Sequence, residues 1–334
     1  MINEQHPRVN FGKTGVLIVN LGTPDSTKWW DVRKYLKEFL SDRRVIEINP
    51  IIWQVVLNLF ILTLRPAKSA HAYKKIWFNK TNESPLLYYT KSQSEKLNNI
   101  MSSEKVTIDF AMRYGNPSIK SKLNKMKEGG CENIIVLPLY PQYAAATTAT
   151  VCDEVYRCLM TMRWQPSLQI IPHYESETEY ISALVKSIET KIKKIDWKPD
   201  LIIASYHGIP KSYFDKGDPY QCYCQKTSRL IKEKFSKIEI QTTFQSRFGP
   251  REWLKPYTDK TLENLPKEGI KNILVICPGF ASDCVETLEE INIQGKESFL
   301  ENGGRNFDLI PCLNDNSDHI KLFETLVKRY LVKK

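Results

Sequence analysis

At 334 residues, with 42% hydrophobic and 26% charged residues, the chain has the makeup of a soluble globular protein and exceeds the size that one core normally sustains, so two domains are expected. Its net charge of +10 implies an acidic partner; the scattered lysines and the lack of any zinc-finger or RNP-like string argue against nucleic acid and leave anionic lipid or a polycarboxylate ligand. The eight cysteines form no dense framework and read as reduced thiols, and the one close pair, Cys222 and Cys224, lacks the second ligand pair of a structural zinc site.

The first ten residues are polar and do not read as a secretory signal. Thr14 to Leu21 predicts a strand closed by Gly22-Thr23-Pro24. Asp25 or Ser26 is then expected to cap a helix whose apolar face carries Trp30, Tyr35, Leu36 and Phe39. Ile51 to Leu64 is almost wholly apolar, with Gln54 and Asn58 as a narrow polar stripe. It is too short for the ~20 residues of a membrane span. Arg43 and Arg44 precede it, and Arg65, Lys68, Lys74 and Lys75 follow. It therefore reads either as a helix lying in an anionic membrane interface, with Leu57 and Phe60 outward, or as a core helix.

Further along, Ser84 to Ile100 reads as helix, Lys105 to Met112 as strand, Ser118 to Gly129 as helix, Asn133 to Leu139 as strand and Thr147 to Met162 as helix. This alternation predicts an α/β fold with parallel sheets. The second half echoes the first. "VNLGTP" from Val19 returns as "SYHGIP" from Ser205, "FAMRYGNP" from Phe110 as "FQSRFGP" from Phe244, and "GCENIIVLPLYP" from Gly130 as "GIKNILVICPGF" from Gly269. Three echoes in one order predict two similar doubly wound, Rossmann-like domains: 13–165, with an apolar insertion near 45–83, and 166–314. A C-terminal helix at 315–333 is expected to pack back on the first.

Leu201 to Pro210, "LIIASYHGIP", reads as a buried strand ending at His207. In open α/β sheets ligands gather beyond the carboxyl ends of the strands, so His207 is placed for proton transfer or metal binding, although a lone histidine reads more readily as a loop residue bonded to its neighbours. Glu286, Glu290 and Gln294, spaced i, i+4 and i+8, would share one face of an α-helix. On its own this is a solvated acidic face; beside a strand-end histidine it becomes a candidate site for transient metal binding.

With "SYHGIP", "KGDPYQC", "LPLYPQY", "FQSRFGPREWLKP" and "SDCVETLEE" in order, the chain closely resembles ferrochelatase from about Gly15 to its C-terminal helix. The resemblance implies a lyase that inserts ferrous iron into protoporphyrin IX. His207 and Glu286 would form its catalytic core, Asp283 would stand beside them, and His207, Glu286 and Glu290 would meet the metal. It also implies a porphyrin pocket lined by Leu21, Arg65, Ser84, Arg113, Tyr114, Tyr140 and Trp253, with Arg65 and Ser84 anchoring the propionates. Gln294 stands where many relatives carry another carboxylate. Leu21, where coproporphyrin-using members tend to have tyrosine, points to protoporphyrin.

The resemblance further implies that ferrous iron is a substrate rather than a resident cofactor. A 2Fe–2S cluster of the family's arrangement is not expected, because the loop after "LPLYPQY" is Ala144-Ala145-Ala146 and no cysteine follows Cys312. The apolar segment resembles the membrane-facing lip of the family, which implies a cytoplasmic, peripherally membrane-associated enzyme with haem-pathway partner proteins. Rival readings are a chelatase for coproporphyrin, cobalt or nickel, and a non-catalytic porphyrin or haem carrier that would tolerate loss of Glu286.

Overall fold

The computed structural model describes residues 11–104 and 106–331. Strands β1 (Lys13–Thr23), β2 (Val106–Gly115), β3 (Cys131–Pro138) and β4 (Ser167–Ile170) form one sheet in the order β2-β1-β3-β4. Strands β5 (Leu201–His207), β6 (Ile240–Gln245), β7 (Asn272–Ile276) and β8 (Asn306–Ile310) form a second, β6-β5-β7-β8. All pairings are parallel, and the shared order is the structural counterpart of the sequence echoes.

Continuous apolar strands form here because both faces of each sheet are covered. Val16 and Ile18 belong to one core, and Leu17 and Val19 to another on the opposite face. In the second sheet Ile202 and Ala204 join the core of Val16 and Ile18, while Leu201 and Ile203 turn to a third. One hydrophobic cluster thus binds the two sheets together, each fully buried Val, Ile or Leu contributing about 1.5–3 kcal/mol. The first sheet continues through β4, so its domain does not end near residue 165 but runs past Ile170.

The helix after each fourth strand packs against the other domain. Thr178–Ile192, which follows β4, lies against Tyr220–Lys234, and Ser317–Lys328, which follows β8, lies against Pro85–Ile100. The expected C-terminal segment at 332–333 lies outside the described residues. Two glycines are required where the echoed loops leave the sheets. A Cβ on Gly22 (φ +116°) would come within 1.8 Å of the Tyr114 carbonyl oxygen, and one on Gly208 within 2.9 Å of the Gln245 oxygen.

The stretch from β1 through the insertion differs from its sequence reading in three ways. The helix Trp29–Leu40 is preceded by Lys28, which makes no side-chain cap; Ser26 instead hydrogen-bonds Asp31 and Asp25 accepts from Asn116. Trp30 is 70% exposed, stacked edge-on against Trp29, because Val32, Tyr35, Leu36 and Leu40 already fill the inner face. The apolar run belongs to one 27-residue helix, Pro50–Ile76, capped by Asn49 and containing an i→i+5 turn at Leu57–Ile61.

By length and composition that helix could cross a membrane. Its Trp53, Leu57 and Leu62, however, are packed in the core with Tyr35, Leu36 and Leu40, contacts that a span would strip away. Leu57 is therefore interior, not outward. Ile51, Leu59, Phe60 and Leu64 form the exposed apolar side.

Candidate active site

Four strands of the two sheets end at one cavity of about 90 Å³. Asn20 and Leu21 reach it from β1, Leu139 and Tyr140 from the end of β3, His207 from β5, and Gly279 to Glu286 from the segment after β7. The parallel arrangement makes this meeting possible, since within each sheet every strand points its carboxyl end the same way. His207 is held at the strand end with Nδ1 2.6 Å from the Gly208 carbonyl oxygen, an arrangement that leaves Nε2 for chemistry when Nδ1 carries the proton.

Glu286 begins the segment Glu286–Gly295, which is wound with i→i+5 bonds rather than as an α-helix. Gln245 Nε2 donates to its carbonyl oxygen at 2.8 Å, tying this segment to β6. The wider winding breaks up the expected acidic face. Glu290 accepts from Ser246 N at 2.7 Å and Ser246 Oγ at 2.5 Å, whereas Gln294 turns to Glu289. Burial holds the Glu290 carboxyl above the ordinary range. The Ser246 hydrogen bonds and the nearby His207 oppose that shift, and Glu286 adds to it. Ser246 itself sits at φ +64°, a left-handed backbone conformation that costs about 1–3 kcal/mol in a non-glycine residue.

Glu290 borders a second opening, with Ser246, Arg247 and Gln294 on its rim. Among the described residues no three His, Cys, Asp or Glu side chains converge to hold a metal ion. His207, Glu286 and Glu290 are thus not a preformed ligand set, because the Glu290 oxygens are turned to Ser246.

The other expected residues divide into three groups. Leu21 and Tyr140 line the cavity, and the buried Tyr140 hydroxyl has no hydrogen-bond partner among the described residues. Arg65, on the lip helix, lies 4.3 Å over the Phe248 ring, and burial lowers the pKa of its guanidinium. Among the described residues it makes no salt bridge, so its fork is open to an anion. Ser84 caps the helix Pro85–Ile100, accepting from Leu87 N at 3.1 Å, and keeps its hydroxyl proton for donation beside Glu286. Trp253 packs beneath Gly208 and donates to the Phe248 carbonyl oxygen at 2.9 Å, linking the histidine turn to the ring under Arg65.

Arg65, Ser84, Trp253 and Glu290 do not line the cavity itself, and three further expected residues lie outside it with their polar groups paired elsewhere. Arg113 is paired with Asp42 at 2.5 Å and donates to the Thr150 carbonyl oxygen at 2.7 Å, and Tyr114 donates to the same Asp42 at 3.0 Å. They brace the start of the lip rather than line the pocket. Asp283 is 4% exposed, and its oxygens are taken up by Cys312 N at 3.2 Å, Thr287 Oγ1 at 3.1 Å and Asn314 Nδ2 at 2.7 Å. It anchors the start of the Glu286–Gly295 segment from behind.

Sequence reasoning missed Gln142, whose buried Oε1 is unpartnered at the cavity, and Ser246, which holds Glu290. The echo of "FAMRYG" by "FQSRFG" carried a signal for Ser246: a polar residue in place of Met112 directly after a strand.

Two parallel sheets of one order, joined at their strand ends around a histidine and a glutamate, define the chelatase class of fold. Solved structures of the same fold include "SirB from Bacillus subtilis with Fe3+" (TM-score 0.58, 11% identity, 95% of each chain) and CbiX, titled the terminal enzyme for biosynthesis of siroheme in denitrifying bacteria (TM-score 0.53, 11% identity, 95% of this chain and 100% of that one). The Ferrochelatase family model matches residues 13–331. Curated relatives named Ferrochelatase include those of Allorhizobium ampelinum, 54% identical over 98% of this chain and 96% of that one, and Rhizobium meliloti, 53% identical over 98% of each. The chain belongs to the ferrochelatase family, lyases that insert ferrous iron into a porphyrin.

Proposed function

We propose that the chain metallates protoporphyrin IX in the cavity between His207 and Glu286 while its lip lies in an anionic membrane surface. The observation that carries this reading is the convergence of His207, Glu286, Leu21 and Tyr140 on one strand-end cavity. Insertion exchanges two pyrrole N–H protons for one divalent ion. His207 takes a pyrrole proton or gives iron its last protein contact on one side of the ring. Glu286 and Glu290 pass protons or metal on the other, through the opening that Glu290 borders. A wall that holds the ring bent exposes its nitrogen lone pairs and so favours the transition state over the flat substrate. Arg65 and Ser84 hold the propionates.

Leu21 in the wall supports protoporphyrin over coproporphyrin. Anaerobic insertion rates should favour protoporphyrin IX in kcat/KM by about tenfold or more, and Leu21→Tyr should narrow that ratio. A wild-type preference for coproporphyrin would overturn the substrate assignment.

Membrane docking is supported by exposed Leu59, Phe60 and Leu64 beside the exposed cations Arg43, Lys68 and Lys74. This reading gives a peripheral enzyme that takes an apolar substrate from the bilayer or from a pathway partner on the same surface. The double variant Leu59→Asp, Phe60→Asp should keep its fold and sediment with anionic vesicles roughly tenfold less well. Unchanged sedimentation would remove the lip from the membrane, and Leu57→Asp should instead unfold the insertion.

A further inference from the structure

Glu289 follows the catalytic helix into the interior, is 5% exposed and does not line the cavity. Both of its oxygens are engaged. Lys75 Nζ of the lip helix donates to Oε1 at 3.0 Å, and Gln294 Nε2 donates to Oε2 at 2.7 Å. Val285 and Leu288 of the catalytic segment pack beside them in the same cluster as Tyr73 and Ile76 of the lip. A carboxylate removed from water is costly to leave unpaired, so the cation and the amide hold it and are held by it. Gln294 serves here because it donates; a carboxylate at that position would set a second negative charge against Glu289.

The cavity of about 90 Å³ is far below the roughly 300–1,000 Å³ of ligand pockets, so a tetrapyrrole enters and leaves only when a wall moves. The lip helix Pro50–Ile76 borders the adjoining space through Tyr73 and Ile76, beside Leu21, Ser84 and Glu286, and it carries Arg65. We propose that Lys75, Glu289 and Gln294 form a latch fastening the lip helix to the catalytic helix, with Glu289 as a positioning residue that sets how fast haem leaves the cleft. The inference rests on the iron-insertion reading above.

The test loads wild type, Lys75→Met, Lys75→Arg and Glu289→Gln with protoporphyrin IX, adds ferrous iron anaerobically for a single turnover, and then follows haem transfer to excess haem-free myoglobin. Lys75→Met and Glu289→Gln should release haem roughly 3- to 10-fold faster, with the insertion rate unchanged within about twofold and Lys75→Arg close to wild type. Lys75 is exposed on one side, so Lys75→Met carries the test should Glu289→Gln fold poorly. Equal release rates in all four proteins, or an insertion rate that falls in step with release, would overturn the latch. A wild type that binds porphyrin but forms no haem would overturn the insertion reading instead.

Discussion

The His207→Ala enzyme should bind protoporphyrin IX yet insert iron at least about 100-fold more slowly than wild type, the scale of a lost general base. His207 is the histidine of the cavity, and its ring is fixed by the Gly208 carbonyl rather than by a carboxylate. Removing the imidazole leaves the apolar wall, Arg65 and Ser84 in place, so porphyrin affinity should stay within about tenfold, a change of less than ~1.4 kcal/mol. Stopped-flow absorbance separates the two quantities: fluorescence quenching gives binding, and loss of the free-base bands gives insertion. Near-normal turnover would deny His207 any proton or metal role.

Asp283→Ala should destabilise the protein by about 3–5 kcal/mol, because it strips a buried carboxylate from three donors at once. Asp283→Asn should rescue little, since its amide would set a second donor against Asn314 Nδ2. The network reaches further: Asn314 Oδ1 accepts from Asp283 N at 2.8 Å, and Gln93 Nε2 of the helix Pro85–Ile100 donates to the Asn314 carbonyl oxygen at 2.8 Å, joining the two domains behind the cavity. Urea denaturation followed by tryptophan fluorescence tests this. A variant as stable as wild type but inactive would return Asp283 to catalysis.

These two residues also mark what the sequence could reveal. His207 was legible because its position depends on a local pattern: an apolar run that ends at a glycine in a parallel strand. The likeness of the two sheets followed from the echoes, which repeat the strand ends in the same sequence order. Asp283 is adjacent to the catalytic helix in sequence, but its partners Cys312 and Asn314 lie far along the chain, and no local pattern encodes them. The pairing of Arg113 with Asp42 was hidden for the same reason. The spacing of Glu286, Glu290 and Gln294 was real, but its reading assumed an α-helical period, and the wider winding sends the three side chains to different partners. Leu57 and Trp30 show the limit of hydrophobicity as a guide: both are apolar, and only the neighbouring helix decides which one is covered.

Proton release during a single anaerobic turnover tests the central claim most directly. Enzyme loaded with protoporphyrin IX is mixed with ferrous iron in weak buffer, with haem formation read by absorbance and protons by an indicator dye. Metallation in the His207–Glu286 cavity predicts one haem per chain and two protons per haem, with both signals lost together in His207→Ala. Bound porphyrin that keeps its free-base spectrum in the wild type, or haem formed at the same rate in the variant, would contradict it.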